Sequence, residues 1–501
     1  MRLADLSAAL PEGAVRTVGD GDRTDIADIA FDSRRAGPGT LFFCVRGSSA
    51  DGHDFAPAVI DAGAAALVVE RELDLDVAQL VVADSRAAMG PIAARWFGDP
   101  SSELEMVGVT GTNGKTTTAF LVRSILEHAG VSCGLLGTVK RVVGGEEEPV
   151  ERTTPEAIDL QRTFRAMLDA GDRACVMEVS SHALTLGRAD AIDFDVAAFT
   201  NLTQDHLDFH ADMEDYFAAK RLLFLPGSGA APPAAAIVNV DDPYGERLAN
   251  EISRDGRSRL TTVSAAGHLA DLTAHDVGFD AGGGTFTLHG AGAARPVELR
   301  LPGHFNVENA LAALGSVLAL GIDPATAVAG LAAAEPVPGR MEPVDRGQGF
   351  GVLVDYAHTP DSLENVLRAA RRLTDGRLIC AFGCGGDRDA TKRPLMGRAG
   401  AELADVAVIT SDNPRSEDPA AIIAQILAGI PADRRDSSRV EPDRRKAIAL
   451  AFHEARPGDL VVIAGKGHEQ GQEFGGGRKI PFDDREVAGE ELDRLGREAG
   501  E

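Results

Sequence analysis

The stretch Val107-Gly-Val-Thr-Gly111-Thr-Asn-Gly114-Lys115-Thr116-Thr117 decides the fold of this chain. An apolar strand runs into a glycine-rich turn, and a Lys-Thr pair then opens a helix. Glycines let backbone N–H groups approach phosphate oxygens, the helix N-terminus favours negative charge, and the Lys115 ammonium adds a positive charge. The Thr116 hydroxyl is placed to reach a magnesium ion. We therefore predict a phosphate-binding loop, although the common motif has glycine where this chain has Val109.

Strand and helix patterns alternate on both sides of this loop. Apolar runs at 104–110, 175–179, 195–200 and 234–240 predict strands, and the segments 116–130 and 306–321 have the periodicity of helices. This alternation predicts an α/β protein whose central unit is a doubly wound, mostly parallel sheet. The segment 267–302 is glycine-rich and alternates in polarity, so we expect a β-hairpin appendage there.

The length of 501 residues predicts about three domains at roughly 150 residues each. Residues 1–102 contain short apolar runs that predict a small α/β N-terminal domain. Residues 103–336 form the central domain with the phosphate loop, and residues 337–501 alternate again, as in a Rossmann-like C-terminal domain. The boundaries lie in the polar stretch 97–103 and in the Pro-Val-Pro-Gly stretch 336–339.

The formal net charge of −27 argues against general electrostatic attraction to nucleic acid or an anionic membrane. An anionic substrate then needs local cations. The chain has no apolar run long enough to span a membrane and no signal-peptide pattern. An odd number of cysteines, mostly in apolar runs, is typical of the reducing cytoplasm. These cysteines are Cys44, Cys133, Cys175, Cys380 and Cys384.

Polar residues follow the predicted strands of the central domain. Glu178 ends one strand, at the sheet edge where ligands bind in open α/β folds. A carboxylate there suits a hard cation that bridges phosphates, or it is an ordinary acid at a strand end. The segment 205–210 follows the next strand and contains two histidines and two aspartates. This segment is either a metal-binding loop that includes His206 or a solvated loop.

Lys220 lies in the segment 213–224, which has the pattern of a helix. Aromatic and aliphatic residues three and four positions away on both sides place Lys220 on the apolar stripe. One interpretation is a lysine that snorkels from the edge of the stripe. The other is a buried amine with a lowered pKa, which is neutral and able to react.

Three polar, glycine-containing turns follow strands of the last domain. They lie at 385–389, 411–419 and 464–469, and parallel strands should bring them to one edge of the sheet. Arg388 and Arg415 in these turns suit a carboxylate ligand, because guanidinium binds carboxylate in a bidentate manner. The alternative is three unrelated loops.

Together these motifs resemble the Mur ligases, the ATP-dependent amide-forming family of cell-wall precursor synthesis. The resemblance covers essentially the whole chain, and Gly-Thr-Asn-Gly-Lys-Thr at 111–116 is the shortened phosphate loop of the family. Asp-Asn-Pro-Arg at 412–415 resembles the motif of members that add 2,6-diaminopimelate. Lysine-adding members lack its arginine, and diaminopimelate carries a second carboxylate with which Arg415 can pair.

The resemblance implies a role for residues in all three predicted domains. Nucleotide contacts are implied for Gly111, Thr112, Asn113, Gly114, Lys115, Thr116, Thr117, Asn306, Asn309, Arg340 and Asp355. Contacts with the UDP-muramoyl-dipeptide are implied for Ser33, Thr153, Thr154, Ser180 and Arg188. Contacts with the amino acid are implied for Arg388, Asp412, Asn413, Pro414, Arg415, Gly465 and Glu469. Arg152 and Leu186 depart from the family pattern and receive no contact.

The resemblance also implies the chemistry. ATP activates the carboxylate of UDP-N-acetylmuramoyl-L-alanyl-D-glutamate as an acyl-phosphate, and diaminopimelate, expected as the meso isomer, attacks it. Two magnesium ions are expected, held by Thr116, Glu178, His206 and an N-carboxylated Lys220. Lys115, Glu178, His206 and Lys220 are the expected catalytic residues of a cytoplasmic monomer. The alternatives are a lysine-adding or LL-diaminopimelate-adding relative, another amide ligase of the same fold, and a nucleotide-dependent switch protein.

Overall fold

The computed structural model describes residues 1–47, 50–150, 152–227, 231–280 and 283–498. Three main β-sheets, with helices between their strands, follow one another along the chain, which confirms the predicted α/β fold class. Each sheet lies within one of the three predicted domains, whose boundaries stay a prediction. In the described ranges, no helix has the length and apolarity needed to cross a bilayer.

The first sheet has the strand order β1-β5-β4-β3-β2, with β1 antiparallel to β5 and the other neighbours parallel. Its strands are β1 Val15–Val18, β2 Asp28–Ala30, β3 Thr40–Phe43, β4 Ala66–Val69 and β5 Ala78–Val82. The helices of this segment are α1 Leu3–Ser7, α2 Ala56–Asp61 and α3 Met89–Phe97. The strands β3 and β4 are buried along their whole length, as the apolar runs predict.

The second sheet contains the strands β6 Glu105–Thr110, β7 Cys133–Leu136, β8 Arg141–Val143, β9 Glu146–Glu148, β10 Ala174–Glu178, β11 Val196–Phe199, β12 Ala235–Asn239, β13 Arg259–Ser264, β14 Leu272–Asp280, β15 Gly283–His289 and β16 Arg295–Leu299. The accompanying helices are α4 Lys115–His128, α5 Ala157–Asp169, α6 Ser181–Thr185, α7 Met213–Arg221, α8 Pro243–Asp255, α9 His304–Ala319 and α10 Pro324–Ala332. The strand order is β16-β15-β14-β13-β12-β11-β6-β10-β7-β8-β9, with parallel pairing from β14 through to β7.

The central position of β6 explains where the site lies. The chain leaves β6 through the glycine-rich turn, and the later strands β10 and β11 pair with β6 on opposite sides. Ligands bind at such a point, beyond the carboxyl ends of the strands, because the flanking loops diverge there. Buried valines of β6 pack with apolar residues of α4 and α9, so the helix after the loop is fixed on the sheet.

The predicted hairpin appendage at 267–302 is wrong in one respect. The strands β14, β15 and β16 form an antiparallel meander, and β14 also pairs in parallel with β13. The segment is therefore an extension of the main sheet. Periodicity could not show this, because alternation predicts strands but not which neighbour an edge strand pairs with. The residues between β14 and β15 lie outside the described ranges.

The third sheet has the order β17-β18-β22-β19-β20-β21, parallel from β18 to β21, and a two-stranded hairpin β23-β24 follows it. Its strands are β17 Glu342–Pro343, β18 Gly351–Asp355, β19 Leu378–Phe382, β20 Val406–Ile409, β21 Ser438–Val440 and β22 Leu460–Ala464, and the hairpin comprises β23 Gly471–Phe474 and β24 Arg478–Pro481. The helices are α11 Pro360–Arg371, α12 Lys392–Leu403, α13 Pro419–Ala428, α14 Arg444–Glu454 and α15 Asp484–Glu498. The turns after β19, β20 and β22 consequently share one sheet edge, as predicted.

A buried ion pair, Arg444–Asp484, supports this edge of the sheet. Arg444 Nε and Nη2 donate to the two carboxylate oxygens of Asp484 at 2.8 and 2.6 Å, and both side chains are at most 1% exposed. Arg444 Nη2 also donates to the Ala464 carbonyl at 3.0 Å, at the end of β22. The pair thus fixes the strand end from which the third turn begins.

Replacing one partner of this pair should cost more stability than replacing both. We expect Arg444→Met to lower the free energy of unfolding by about 3–5 kcal/mol, because it leaves the Asp484 carboxylate buried and unpaired. The double variant Arg444→Met/Asp484→Leu should lose less. Urea unfolding followed by circular dichroism measures both. A double variant as unstable as the single variant would contradict the explanation.

Candidate active site

Two glycines shape the phosphate loop. Gly111 and Gly114 have φ angles of +148° and +85°, which side chains disfavour. A Cβ atom on Gly111 would lie 1.9 Å from Thr200 Oγ1, and one on Gly114 would lie 2.2 Å from Asn309 Oδ1. The loop therefore approaches its neighbours too closely for a side chain at either position. Within the loop, the N–H groups of Thr112 and Asn113 donate to Asn201.

Lys115 folds back over this loop. Its Nζ donates to the carbonyl oxygens of Gly111 at 3.0 Å and Thr112 at 2.9 Å. Burial lowers the pKa of Lys115, and nearby carboxylates, Glu178 first, oppose that shift. The Lys115 amine thus lies against the loop, held by two of its carbonyl oxygens.

Glu178 is held by hydroxyl and amide donors. Thr116 Oγ1 lies 3.0 Å from each Glu178 carboxylate oxygen. Thr138 donates its N–H to the same carboxylate at 2.7 Å and its hydroxyl at 3.1 Å, a contact that no sequence pattern indicates. Hard cations such as magnesium prefer oxygen ligands of this kind. The pair Thr116–Glu178 fits a magnesium ion.

Arg340 brings a second cation to the loop from the last domain. Its Nη2 donates to Thr116 Oγ1 at 3.1 Å, and its guanidinium lies 4.5 Å from the centre of the Tyr356 ring. The ring holds the guanidinium through a cation–π contact. The predicted nucleotide residue Arg340 is therefore in contact with the phosphate loop, although the two are more than 200 residues apart in sequence.

Lys220 is buried, which favours the buried amine over the snorkelling lysine, the two interpretations of its helical pattern. It is 1% exposed, so it does not snorkel to solvent. Its Nζ donates to the Gly111 carbonyl at 2.7 Å and lies 4.6 Å from the centre of the Tyr216 ring. Burial, together with the charge of Lys115, holds the pKa of Lys220 well below its usual range. A lowered pKa favours the uncharged form of the amine, which is the nucleophilic form.

His206 lies close to Lys220 and is neutral. Its ring centroid is 6.0 Å from that of Tyr216, and its backbone has a φ of +56°. Burial lowers the pKa of His206 to about 3, against the opposing charge of Asp205. Its ring nitrogens are therefore free of an added proton and can serve as ligands.

The second predicted metal site depends on a modification. In the part of the chain that the structure describes, no three His, Cys, Asp or Glu residues form a metal-binding group. His206 alone is a weak ligand set, and an unmodified amine at Lys220 adds no oxygen donor. The pair fits a magnesium ion only when Lys220 carries a carboxylate.

Two acids join the central domain to the last domain. The buried Asp205 lies 3.4 Å from Lys392 Nζ and 3.6 Å from His358 Nε2. Burial raises the pKa of Asp205, but the Lys392 ammonium and the hydrogen bond with His358 hold it well below its usual range. Asp361 Oδ2 accepts a 2.8 Å hydrogen bond from Asn113 Nδ2 of the phosphate loop. Sequence reasoning did not single out Asp361, because a contact across 248 residues leaves no local pattern.

Four of the predicted dipeptide-binding residues form one cluster next to Glu178. Thr154 Oγ1 donates to the Glu178 carbonyl at 2.9 Å, and the Ser180 N–H donates to Thr154 Oγ1 at 3.2 Å. Arg188 Nη1 donates to the Thr154 carbonyl at 3.1 Å. The Thr153 hydroxyl lies 3.1 Å from the Thr138 hydroxyl, which also donates to Glu178. Through Glu178, which contacts Thr116, this cluster adjoins the phosphate loop.

Other predicted residues lie outside this cluster. Ser33 begins a short 3₁₀ segment in the first domain, and among the described residues it has no hydrogen bond to the cluster. Arg388 is exposed on the turn after β19 and donates to the Asp387 carbonyl at 2.9 Å. Arg152 pairs with Glu156 at 3.1 Å, and its contact to a substrate stays unassigned.

The three turns of the last domain meet as predicted. Gly386 N–H donates to the Asn413 carbonyl at 2.8 Å, and Asn413 Nδ2 donates to Glu469 Oε2 at 2.9 Å. Arg415 Nη1 donates to the Gly386 carbonyl at 2.8 Å, while its Nε pairs with Glu473 at 3.0 Å. The predicted carboxylate-binding arginine therefore already has a carboxylate partner, on the hairpin strand β23.

Close packing against two glycines, Gly386 and Gly465, holds the turn after β20. Pro414 follows Asn413 in this turn, and its carbonyl lies so close to Gly386 that a Cβ there would be 1.9 Å away. The Asp412 carboxylate packs over Gly465, where a Cβ atom would lie 2.6 Å from Asp412 Oδ2. Gly465 has a φ of +120°, so the position needs glycine for both conformation and space.

The start of α9 lies against the phosphate loop and borders a cavity. Asn309 Nδ2 donates to Asn306 Oδ1 at 3.1 Å, and Asn306 Nδ2 donates to the Pro302 carbonyl at 2.8 Å. A cavity of about 200 Å³ between α9 and α11 is lined by Phe305, Glu308 and neighbouring residues. Phe305 is half-buried and also packs against the hydrophobic core of the last domain.

Asp355 has a structural role in the described contacts. Its carboxylate oxygens accept hydrogen bonds from the backbone N–H groups of Met341 at 2.7 Å and Ala357 at 2.8 Å. It therefore fixes the segment that follows Arg340. A direct nucleotide contact of Asp355 stays a prediction.

Three family models match the chain. The model for the Mur ligase family, catalytic domain, matches residues 25–96, and the Mur ligase middle domain matches residues 109–317. The Mur ligase, glutamate ligase domain matches residues 339–467. These ranges include the phosphate loop, Lys220 and the Asp-Asn-Pro-Arg turn.

Relatives match over nearly the full length. A protein of Geobacillus kaustophilus (strain HTA426) named UDP-N-acetylmuramoyl-L-alanyl-D-glutamate–2,6-diaminopimelate ligase is 46% identical over 494 residues, which cover 97% of this chain and 98% of the relative. A solved structure of the same name has a TM-score of 0.69 at 31% identity and covers 98% of this chain and 99% of that chain. The MurF ligase of Thermotoga maritima in complex with ADP has a TM-score of 0.64 at 19% identity, covers 95% of this chain and 97% of that chain, and shares the fold.

Glu308 makes stability depend on pH. Burial, reinforced by Asp241, raises the pKa of Glu308 from 4.5 to about 7. The unfolded chain thus loses this proton at lower pH than the folded protein, and stability falls as pH rises from about 4.5 to 7. We expect the Glu308→Gln variant to gain about 1–3 kcal/mol relative to the wild type across this range, measured by urea unfolding.

The exposed Glu335 provides the control for this measurement. The Glu335→Gln variant should follow the wild type at every pH, because its carboxylate is solvated. A stability difference between wild type and Glu308→Gln that stays constant with pH would show that Glu308 does not titrate in this window.

Proposed function

The chain belongs to the Mur ligase family, and on that premise we propose that it joins 2,6-diaminopimelate, as the meso isomer, to UDP-N-acetylmuramoyl-L-alanyl-D-glutamate with the consumption of ATP. The products are the UDP-muramoyl-tripeptide, ADP and phosphate. The observation that carries this proposal is the Asp412–Arg415 turn, in which Asn413 donates to Glu469 and Arg415 pairs with Glu473, in a chain that matches a diaminopimelate ligase over 97% of its length.

ATP is needed because a carboxylate is a poor electrophile. A carboxylate oxygen of the dipeptide attacks the γ-phosphorus of ATP, the bond to the β,γ-bridging oxygen breaks, and an acyl-phosphate and ADP form. The amine of diaminopimelate then attacks the acyl carbon, loses a proton and displaces phosphate. The amide bond thus forms at the expense of one phosphoanhydride bond.

This chain's own residues stabilise the charge in the first step. Lys115 and Arg340 contact the phosphate loop, where we place the phosphates, and donors fixed in this way lower the barrier without reorganising. Thr154, Ser180 and Arg188 lie where they can orient the dipeptide carboxylate. Magnesium ions held by Thr116 and Glu178, and by His206 with carboxylated Lys220, would neutralise phosphate charge.

Lys220 is suited to carboxylation. The lowered pKa favours the uncharged amine, which can attack carbon dioxide, forming an N–C bond and releasing one proton, to give a carbamate. The product carries a negative charge where the unmodified residue has a buried amine beside Lys115. The nearby Lys115 ammonium favours that negative charge.

The last domain supplies the amino acid and covers the site. Arg415 suits the carboxylate and Glu469 the ammonium at the end of diaminopimelate that does not react. Contacts of Arg340 and Asp361 with the phosphate loop support a closed arrangement that excludes water from the acyl-phosphate. The UDP group is assigned to the first domain around Ser33, and the nucleotide base to the cavity beside Asn306 and Asn309. The monomeric state and the cytoplasmic location stay predictions.

A phosphate-release assay tests the proposed reaction. We expect release from ATP only when both UDP-N-acetylmuramoyl-L-alanyl-D-glutamate and an amino acid are present. In a mixture of meso-diaminopimelate, LL-diaminopimelate and L-lysine, the meso isomer should dominate the product, identified by mass spectrometry. Preference for lysine would instead indicate a lysine-adding relative, and release that requires neither substrate would indicate a nucleotide-dependent switch.

Lys220→Ala tests the activation step separately from nucleotide binding. With the UDP-dipeptide but no amino acid, reversible acyl-phosphate formation moves ¹⁸O between bridging and non-bridging positions of ATP. We expect the variant to lose this exchange by about 100-fold or more, because the carbamate is absent. ADP binding, measured by calorimetry, should persist.

The neighbouring residue Arg221 offers a matched control. Its guanidinium pairs with Glu251 on α8, away from the loop, so Arg221→Ala should retain the isotope exchange. Normal exchange in Lys220→Ala would refute the role of Lys220.

A further inference from the structure

Lys466 is a fully buried lysine at the amino-acid site that the proposed mechanism does not use. It is 0% exposed and lies in the turn after β22, between Gly465 and Glu469. A lysine is rarely buried unless its charge is paired. Its surroundings therefore show what the charge holds in place.

The Lys466 ammonium contacts three side chains of the converging turns. Its Nζ donates to Asn413 Oδ1 at 2.9 Å and to Glu469 Oε2 at 2.7 Å. The Asp412 carboxylate lies 3.9 Å away. Burial raises the pKa of Asp412, but Lys466 and Arg444 outweigh this and hold it below its ordinary value. The ammonium thus lies beneath the two turns that carry Asp412–Arg415 and Glu469.

Lys466 fixes which way the Asn413 amide points. An ammonium group only donates hydrogen bonds, so it must face the amide oxygen. The backbone N–H of Glu473 donates to the same oxygen at 3.0 Å. The amide nitrogen is therefore turned toward Glu469, to which it donates at 2.9 Å.

The same contacts orient the Glu469 carboxylate. Both Lys466 and Asn413 donate to its Oε2 atom, which leaves Oε1 without either bond. The Glu469 side chain is 31% exposed. The carboxylate consequently offers one oxygen to the site while the other is anchored.

We propose that Lys466 is a positioning residue for amino-acid selection, which holds Asn413 and Glu469 so that the site accepts an ammonium and a carboxylate together, as at the distal end of diaminopimelate. This inference rests on the proposed function. Lys466 balances the negative charge of Glu469, so a ligand bearing only an ammonium gains little there. Without Lys466 the site has one more net negative charge and favours the bare ammonium at the end of lysine.

The test measures the steady-state constants of Lys466→Met in the full-length protein. We expect the KM for meso-diaminopimelate to rise by about tenfold or more, because an anchored charge-assisted bond is lost, while the KM for ATP stays the same. The ratio of kcat/KM for meso-diaminopimelate to that for L-lysine should fall. Lys466→Gln keeps a hydrogen-bond donor for Asn413 but has no positive charge for Glu469. The ratio of kcat/KM values should therefore also fall in this variant, while the KM for meso-diaminopimelate should rise less than in Lys466→Met.

Lys446→Met is the matched control, since Lys446 is an exposed lysine on α14 of the same domain. It should leave all constants unchanged. Equal losses for both amino acids, an unchanged KM for diaminopimelate, or a parallel rise in the KM for ATP would overturn the role of Lys466. Failure of the wild-type protein to use diaminopimelate would overturn the proposed function itself. That result comes from the wild type alone and is therefore distinct from any result with the Lys466 variants.

Discussion

The carbonyl oxygen of Gly111 is the point on which the site depends. It accepts hydrogen bonds from the Nζ atoms of both Lys115 and Lys220, at 3.0 and 2.7 Å. One lysine belongs to the helix after the loop and the other to α7, so a single backbone oxygen joins the loop to both. Two full charges would repel each other at this point, and the lowered pKa of the buried amine relieves that conflict. The phosphate loop and the buried amine of Lys220 are thus linked through the same backbone oxygen.

Features that depend on local periodicity were predictable from the sequence. The strand–loop–helix around Lys115, the burial of Lys220 and the meeting of the three turns in the last domain follow from patterns of a few residues and from the geometry of parallel strands. Contacts across domains were not predictable. Thr138 on Glu178 and Asp361 on Asn113 arise where distant segments meet, and neither residue has a distinctive neighbourhood in sequence. The pairing of β14 with β13 escaped prediction for the same reason.

The net charge of −27 contrasts with the charges around the site. Lys115 and Arg340 lie at the phosphate loop, and Arg444 and Lys466 support the edge of the last sheet. Each of these cations is held by a carbonyl, a ring or a carboxylate, so each has a fixed position. Cations at fixed positions, and not the net charge of the protein, can therefore attract an anion to the site. The acidic surface repels anions in general, so affinity for an anionic ligand has to come from these placed cations.

The ion pair between Arg415 and Glu473 bears on how the amino-acid site responds to salt. An incoming carboxylate that takes Arg415 replaces the Glu473 carboxylate, which is 43% exposed and returns to solvent. One ion pair is exchanged for another, so the number of charge pairs does not change. Screening by salt weakens the old pair and the new pair alike. Under the proposed function, the affinity for the amino acid is therefore expected to depend less on ionic strength than the affinity for the highly charged nucleotide.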